Sequence, residues 1–227
     1  MVTAIVLAAG RSTRMGGSGN KQFIALLGKP LLCYSLAAFE QCCDVDAIVL
    51  VRPPDYGEQA ERIVNKFGFK KVVAFADGGI ERQNSVWNGM EKCPANTEIV
   101  AVHDGARPLV TPALIEATIA CAQADGTGIA ATKVVDTIKE ARPECTVERT
   151  VDRTKLWAVQ TPQTVRSKLL REAYALVFKK NLVVTDEAAA VELIGHPVRL
   201  VETAFLNLKV TTANDLAIAE ALLRRRQ

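Results

Sequence analysis

Short apolar segments alternate along this chain with longer amphipathic ones, and that alternation narrows the fold more than any other feature. Residues 4–8, 47–51, 71–75, 99–103 and 128–134 are rich in Val, Ile and Ala and are bounded by turn residues. Between them, residues 30–42, 56–66, 82–92 and 111–125 repeat their apolar positions with helical period. The last of these opens on Thr111 as N-cap with Pro112 at the first helical position. Strands and helices in this order predict an α/β fold, doubly wound, with a mainly parallel sheet covered by helices on both faces. A chain of 227 residues with 49% hydrophobic and 5% aromatic content must build that core from Val, Ala, Leu and Ile.

One segment breaks the rhythm. Residues 136–140 and 146–151 both alternate, with Ala141-Arg142-Pro143-Glu144 as the turn between them, and their polar residues outnumber the apolar ones. A lone two-stranded ribbon is marginal in water. Residues 135–153 are therefore expected to project as a hairpin arm and pack on a second copy of the chain, giving a homodimer. Beyond the arm, residues 167–180 and 185–193 read as helices, and a final helix starts at Thr212 with Asp215 completing a capping box. The expectation is a single domain, residues 1–227, with residues 135–153 as its dimerisation arm.

The net charge of +3 is too small to argue for a nucleic acid or membrane partner. Val2 and Thr3 lead straight into a strand without a basic leader, and no apolar run approaches a membrane span. The six cysteines form no C-x-x-C pair, and the chain has only two histidines, His103 and His196. Reduced thiols in a cytoplasmic protein are the expectation, and a zinc site is not.

In open α/β sheets, ligands bind beyond the carboxyl ends of the strands, and three loops with chemical character fall there. After the first strand come Ala8, Ala9 and Gly10, then Arg14 and Lys21. Small residues let the backbone approach phosphate oxygens closely, and the cations add full charge. After residues 71–75 come Asp77-Gly78-Gly79-Ile80-Glu81-Arg82 and Ser85; taken alone the glycines are merely a turn. After residues 99–103 comes Asp104-Gly105-Ala106-Arg107-Pro108. Asp104 suits Mg²⁺ shared with phosphate oxygens, or a simple turn aspartate, and His103 is expected to orient its neighbour. A Walker A loop is excluded because Gly28-Lys29 is followed by Pro30, and no G-x-G-x-x-G follows the first strand.

Together these residues carry a resemblance. Leu7-Ala8-Ala9-Gly10-x-x-x-Arg14-Met15 with Lys21-Gln22 is similar to the signature of nucleotidyltransferases that activate sugars and sugar alcohols. Further matches are Asp77-Gly78-Gly79-x-x-Arg82-x-x-Ser85, His103-Asp104-x-Ala106-Arg107-Pro108, Asp136-Thr137 and Thr150-Val151-Asp152-Arg153-x-x-Leu156-Trp157. Thr161-Pro162-Gln163, Thr185-Asp186-Glu187 and Asn207-x-Lys209-Val210-Thr211 complete the set. In this order the chain resembles the 2-C-methyl-D-erythritol 4-phosphate cytidylyltransferases of the non-mevalonate isoprenoid pathway. The ribitol-5-phosphate cytidylyltransferases share the nucleotide loops but lack the stretch intact here from Thr150 to Trp157. A non-catalytic nucleotide sensor would have lost the cations Arg14 and Lys21, and both are present.

The resemblance implies a Rossmann-like nucleotidyltransferase fold and transfer of CMP from CTP to the methylerythritol phosphate, with Mg²⁺ and release of pyrophosphate. It implies Arg14 and Lys21 as the catalytic clamp, and Ala8, Ala9, Gly10, Gly79, Ile80, Arg82, Ser85 and Ala106 around the nucleotide. Thr137, Arg153, Thr161, Thr185 and Lys209 fall on the methylerythritol phosphate side with Asp104 and Arg107, and Asp104 is also the metal candidate. Read without it, Thr185 is a helix cap, Thr161 a turn residue before Pro162, and Arg153 an exposed arm cation. Ser12 stands where relatives often have Gly, and Ile80 where some have Asp.

Overall fold

A computed structural model of the chain describes residues 1–10, 20–203 and 206–226. The chain opens with β1 (Val2–Leu7), a small ribbon of β2 (Ala25–Leu26) and β3 (Lys29–Pro30), and α1 (Leu31–Gln41). Then come β4 (Ala47–Arg52), α2 (Gly57–Phe67), β5 (Val72–Asp77), α3 (Arg82–Glu91), β6 (Ile99–Asp104) and α4 (Pro112–Asp125). The second half holds β7 (Thr127–Lys133), β8 (Ile138–Ala141), β9 (Val147–Val151), β10 (Trp157–Arg166) and α5 (Ser167–Lys179). It closes with α6 (Glu187–Glu192), β11 (Leu200–Glu202) and α7 (Ala213–Arg224).

A 7-stranded sheet in the order β11-β7-β10-β6-β1-β4-β5 forms the centre. All its pairings are parallel except those of β10, which runs against both β6 and β7. Residues along β1 alternate between the two layers, as period-2 geometry requires. Ala4, Val6 and Ala8 pack beneath α1, α2 and α4 in one cluster, while Ile5 and Leu7 pack beneath α3, α5 and α6 in the other. The sheet is thus covered on both faces and doubly wound, as the alternation predicts.

Local chemistry sets the helix ends. Thr111 Oγ1 accepts the amide of Leu114 at 3.3 Å, and Gly126 ends α4 at φ 88°, a left-handed turn that glycine adopts without strain. α6 is shorter than the expected 185–193, because Asp186, not Thr185, is its N-cap and accepts the amide of Ala189 at 2.9 Å.

β10 has no counterpart among the expected strands. Its centre, Gln160-Thr161-Pro162-Gln163-Thr164, neither alternates nor reads as apolar. Its pairing with β7 shifts register between Val159 and Gln163, around a proline that has no N–H to donate. β8 and β9 pair only with each other, as an antiparallel ribbon held by Glu140–Arg149 and a 2.7 Å bond from Lys139 Nζ to Thr150 Oγ1. Val147 on it and Val135 just ahead of it stay exposed. Such a ribbon buries little within its own chain.

Candidate active site

Three loops meet at the carboxyl edge of the sheet because the first residues of each stay hydrogen-bonded to the end of a neighbouring strand. The amide of Ala8 donates to Val51 O at 2.7 Å, Gly78 to Arg52 O at 2.8 Å and Gly105 to Leu7 O at 2.9 Å. The loops lie so close that a Cβ on Gly78 would collide with the methyl of Ala9. Smallness at both positions is a packing requirement, besides any use in ligand approach.

Asn20 ties the returning chain to the end of β1. Its side-chain amide donates to Ala8 O at 3.2 Å, its carbonyl accepts the Gln22 amide at 3.0 Å, and its own amide donates to Tyr56 Oη at 3.1 Å. Tyr56 in turn stacks on Phe23 with ring centroids 4.9 Å apart. This returns the chain, and Lys21 with it, to the end of β1. Arg14 and Ser12 lie outside the described residues. In the second loop, Ser85 Oγ donates to Glu81 O and accepts the Gly79 amide at 3.0 Å, while the Ile80 side chain is 98% exposed.

Asp104, at the end of β6, is the electrostatic centre. Lys209 Nζ donates to its Oδ2 at 2.7 Å, Arg82 Nε to its Oδ1 at 3.4 Å, and Arg107 Nε lies 3.8 Å from Oδ2. Burial alone would push the Asp104 carboxyl up; Arg82, Lys209 and Arg107 outweigh it and hold it well below the usual carboxylate range. Arg82 donates from both terminal nitrogens to Glu187, at 2.7 and 3.0 Å. Burial works against its charge too, but Glu187 and Asp104 hold the guanidinium firmly protonated. Three cations thus surround two carboxylates, leaving an excess of positive charge where an anionic substrate would sit.

The segment carrying Lys209 is fastened to this loop by main-chain contacts. Arg107 Nη1 donates to Asn207 O at 2.7 Å, and the Val210 amide donates to Ala106 O at 2.8 Å. Asn207 Nδ2 donates to Thr161 O at 2.7 Å. The Thr161 hydroxyl accepts the Asp104 amide at 3.0 Å and pairs with His103 Nδ1 at 3.0 Å. Burial drives the His103 imidazole down to about 3, so it is neutral at ordinary pH. His103 therefore orients Thr161, which orients Asp104.

The structure brings Asp104, Arg107, Lys209, Arg82, Ala106 and Thr161 into one cluster. Thr137, Arg153 and Thr185 are exposed, and no hydrogen bond among the described residues ties them to Asp104. Arg153 Nη1 instead donates to Val135 O at the base of the arm. No group of three His, Cys, Asp or Glu that could hold a metal exists among the described residues. Asp104 is a single carboxylate, kept ionised by the cations around it. At most it could add one ligand to Mg²⁺ carried mainly by phosphate oxygens; the described residues build no cage for the ion.

Four contributors had no assigned role in the sequence: Asn20, Gln83, Tyr174 and Glu187. Glu187 stood inside a matching motif, so a signal existed. The partner 105 residues away did not announce itself.

Comparison with known proteins follows the same line. The family model described as 2-C-methyl-D-erythritol 4-phosphate cytidylyltransferase (IspD) matches residues 2–225. A relative of that name from Alkaliphilus metalliredigens is 44% identical over 100% of this chain and 94% of its own. Another from Geobacillus kaustophilus is 45% identical over 98% of this chain and 97% of its own. The crystal structure of the enzyme of that name from Thermus thermophilus superposes with a TM-score of 0.80 at 33% identity. It covers 99% of this chain and 100% of its own.

Proposed function

The chain belongs to the 2-C-methyl-D-erythritol 4-phosphate cytidylyltransferase family, and from that membership we propose how its residues carry the reaction. The enzyme transfers CMP from CTP to 2-C-methyl-D-erythritol 4-phosphate in isoprenoid precursor biosynthesis, giving the cytidine diphosphate derivative and pyrophosphate. A phosphate oxygen of the polyol substrate attacks the α-phosphorus of CTP, and the bond to the bridging oxygen of the leaving pyrophosphate breaks in line. No enzyme nucleophile is required, because the attacking group is already an anion. What remains for the protein is positioning and the neutralisation of charge on the α-phosphoryl oxygens.

Lys21 and Arg14 are the proposed clamp on that charge. Ala8, Ala9, Gly10, Gly79, Ile80, Arg82, Ser85 and Ala106 line the nucleotide. Asp104, Arg107, Thr161, Thr185 and Lys209 hold the polyol phosphate, with Thr137 and Arg153 supplied by the arm. Asp104 would take one position on Mg²⁺ shared with the triphosphate. When bound, the ion would offset the triphosphate's negative charge. The arm makes the enzyme a homodimer. Its six thiols, all free, suit the reducing cytoplasm, and among the described residues no helix is long and apolar enough to cross a membrane.

The observation that carries this reading is the family match along residues 2–225, with cations gathered around Asp104 at the sheet edge. The test supplies purified protein with CTP, Mg²⁺ and either methylerythritol phosphate or ribitol 5-phosphate, and measures pyrophosphate. Release with the first substrate alone is expected. Release only with ribitol 5-phosphate, or with neither, overturns the assignment.

A further inference from the structure

Glu187 begins α6 with its side chain 0% exposed, and both of its oxygens are used. Oε1 accepts Arg82 Nη1 at 2.7 Å and the Tyr174 hydroxyl at 3.0 Å; Oε2 accepts Arg82 Nη2 at 3.0 Å. A two-pronged arginine–carboxylate pair fixes the guanidinium in plane as well as in position. Only the Nε edge of Arg82 then faces Asp104, at 3.4 Å, and Oδ2 of Asp104 is left to Lys209 and, farther off, Arg107.

The next residue along α3 reaches the same segment. Gln83 donates from Nε2 to Leu182 O at 2.9 Å and accepts the Val184 amide on Oε1 at 2.8 Å. From the other side, Gln163 of β10 donates to Asp186 at 3.0 Å and accepts the Ala188 amide at 3.0 Å. Residues 182–188, which carry Thr185, are therefore strapped to the start of α3 on one flank and to β10 on the other. A surplus ion pair on a surface would not need a fully buried carboxylate with a third donor behind it.

We infer that Glu187 is a positioning residue that ties the two halves of the site together, setting Arg82 on the nucleotide side and the Thr185 segment on the polyol phosphate side. The inference rests on the reading of the site given above. Glu187 touches no substrate; it acts through Arg82 and through the backbone at the start of α6. Removing its charge leaves Arg82 with Asp104 as its carboxylate, in competition with Lys209 and Arg107 for the same two oxygens. Gln83 lacks that reach, since its side chain spends its hydrogen bonds on the backbone of residues 182 and 184.

Steady-state kinetics on E187Q, Q83L and Y174F test this, with the wild-type enzyme run alongside. E187Q is expected to raise KM for CTP and for methylerythritol phosphate together, each by about tenfold, the cost of one misplaced charged hydrogen bond. Q83L should raise KM for methylerythritol phosphate and spare CTP. Y174F, which removes one bond to the same carboxylate, should move both KM values in the E187Q direction by a smaller factor, and it serves if E187Q does not fold. A merely structural Glu187 would lower the active fraction and leave both KM values unchanged. That result, or a change confined to one substrate, overturns the inference. Absence of turnover in the wild type would instead overturn the assigned activity.

Discussion

At the scale of single residues, this site works through charges held where water would otherwise screen them. Lys21 is the proposed donor to the α-phosphoryl oxygens, so Lys21→Ala should cut kcat by about 10²–10³-fold with a smaller change in KM for CTP. Single-turnover measurements decide the matter. A weakened CTP affinity with unchanged turnover would make Lys21 a ground-state anchor. His103 gives a prediction with a sign. Burial holds its imidazole down at about 3, whereas an unfolded histidine titrates near about 6.5. Between those values the unfolded chain binds a proton that the folded chain refuses. The stability this provides is fully present above about pH 6.5 and is lost as pH falls towards 3, at about 1.4 kcal/mol per pH unit. Urea midpoints should therefore fall more steeply between pH 6.5 and 5 for the wild type than for His103→Gln; equal slopes would show that His103 is not the group responsible. Asp104 acts in the same direction, but below its unfolded carboxylate range, so that window separates the two.

At the scale of elements, packing overrides local preference. Gly89 lies inside α3, where propensity alone makes Gly89→Ala stabilising by about 1 kcal/mol. The added Cβ would stand 2.6 Å from Ile5 Cγ2 and 3.0 Å from Val51 Cγ2. Both neighbours are β-branched, fully buried and stiff at χ1. Overpacking of this kind costs about 1–3 kcal/mol, so Gly89→Ala should lower Tm; a higher Tm would mean that α3 can lift off β1 and β4 freely. The glycine lets the helix lie close on the sheet and so aims its first turn, with Arg82 and Ser85, at the carboxyl edge.

At the scale of the whole molecule, the arm is the feature a single chain leaves unfinished. Residues 138–151 form a polar ribbon paired only with itself. A closed two-fold pair is the commonest assembly for such a chain. In the proposed dimer, Arg153 grips the phosphate of the methylerythritol bound mainly by the partner chain, a task that suits its two-pronged guanidinium. Arg153→Ala and Lys21→Ala should each be nearly inactive. Mixing equal amounts should return activity towards a quarter of wild type, because half the dimers are mixed and one of their two sites carries neither lesion, about the statistical limit under two-fold symmetry. Mixed dimers that stay inactive despite verified subunit exchange would put Arg153 in its own chain's site.

The sequence by itself determined the layers, the winding and the edge at which chemistry gathers, because these follow from local period and turn residues. Thr111-Pro112 starts α4 and Gly126 stops it by local chemistry, to which Arg166 of β10 adds hydrogen bonds to the carbonyls of Gln123 and Ala124. The succession of distinct motifs in the right order also made the family legible. Only the tertiary structure decided what surrounds Asp104. Lys209 is brought in by a segment fastened to residues 106 and 107, and Arg82 is aimed by a glutamate 105 residues away. β10 escaped notice for the same reason. Its buried polar centre, Thr161 to Thr164, is satisfied by partners on β6, α4 and the start of α6. A side chain's charge is written in the sequence, but the partner that fixes its direction is chosen by the fold.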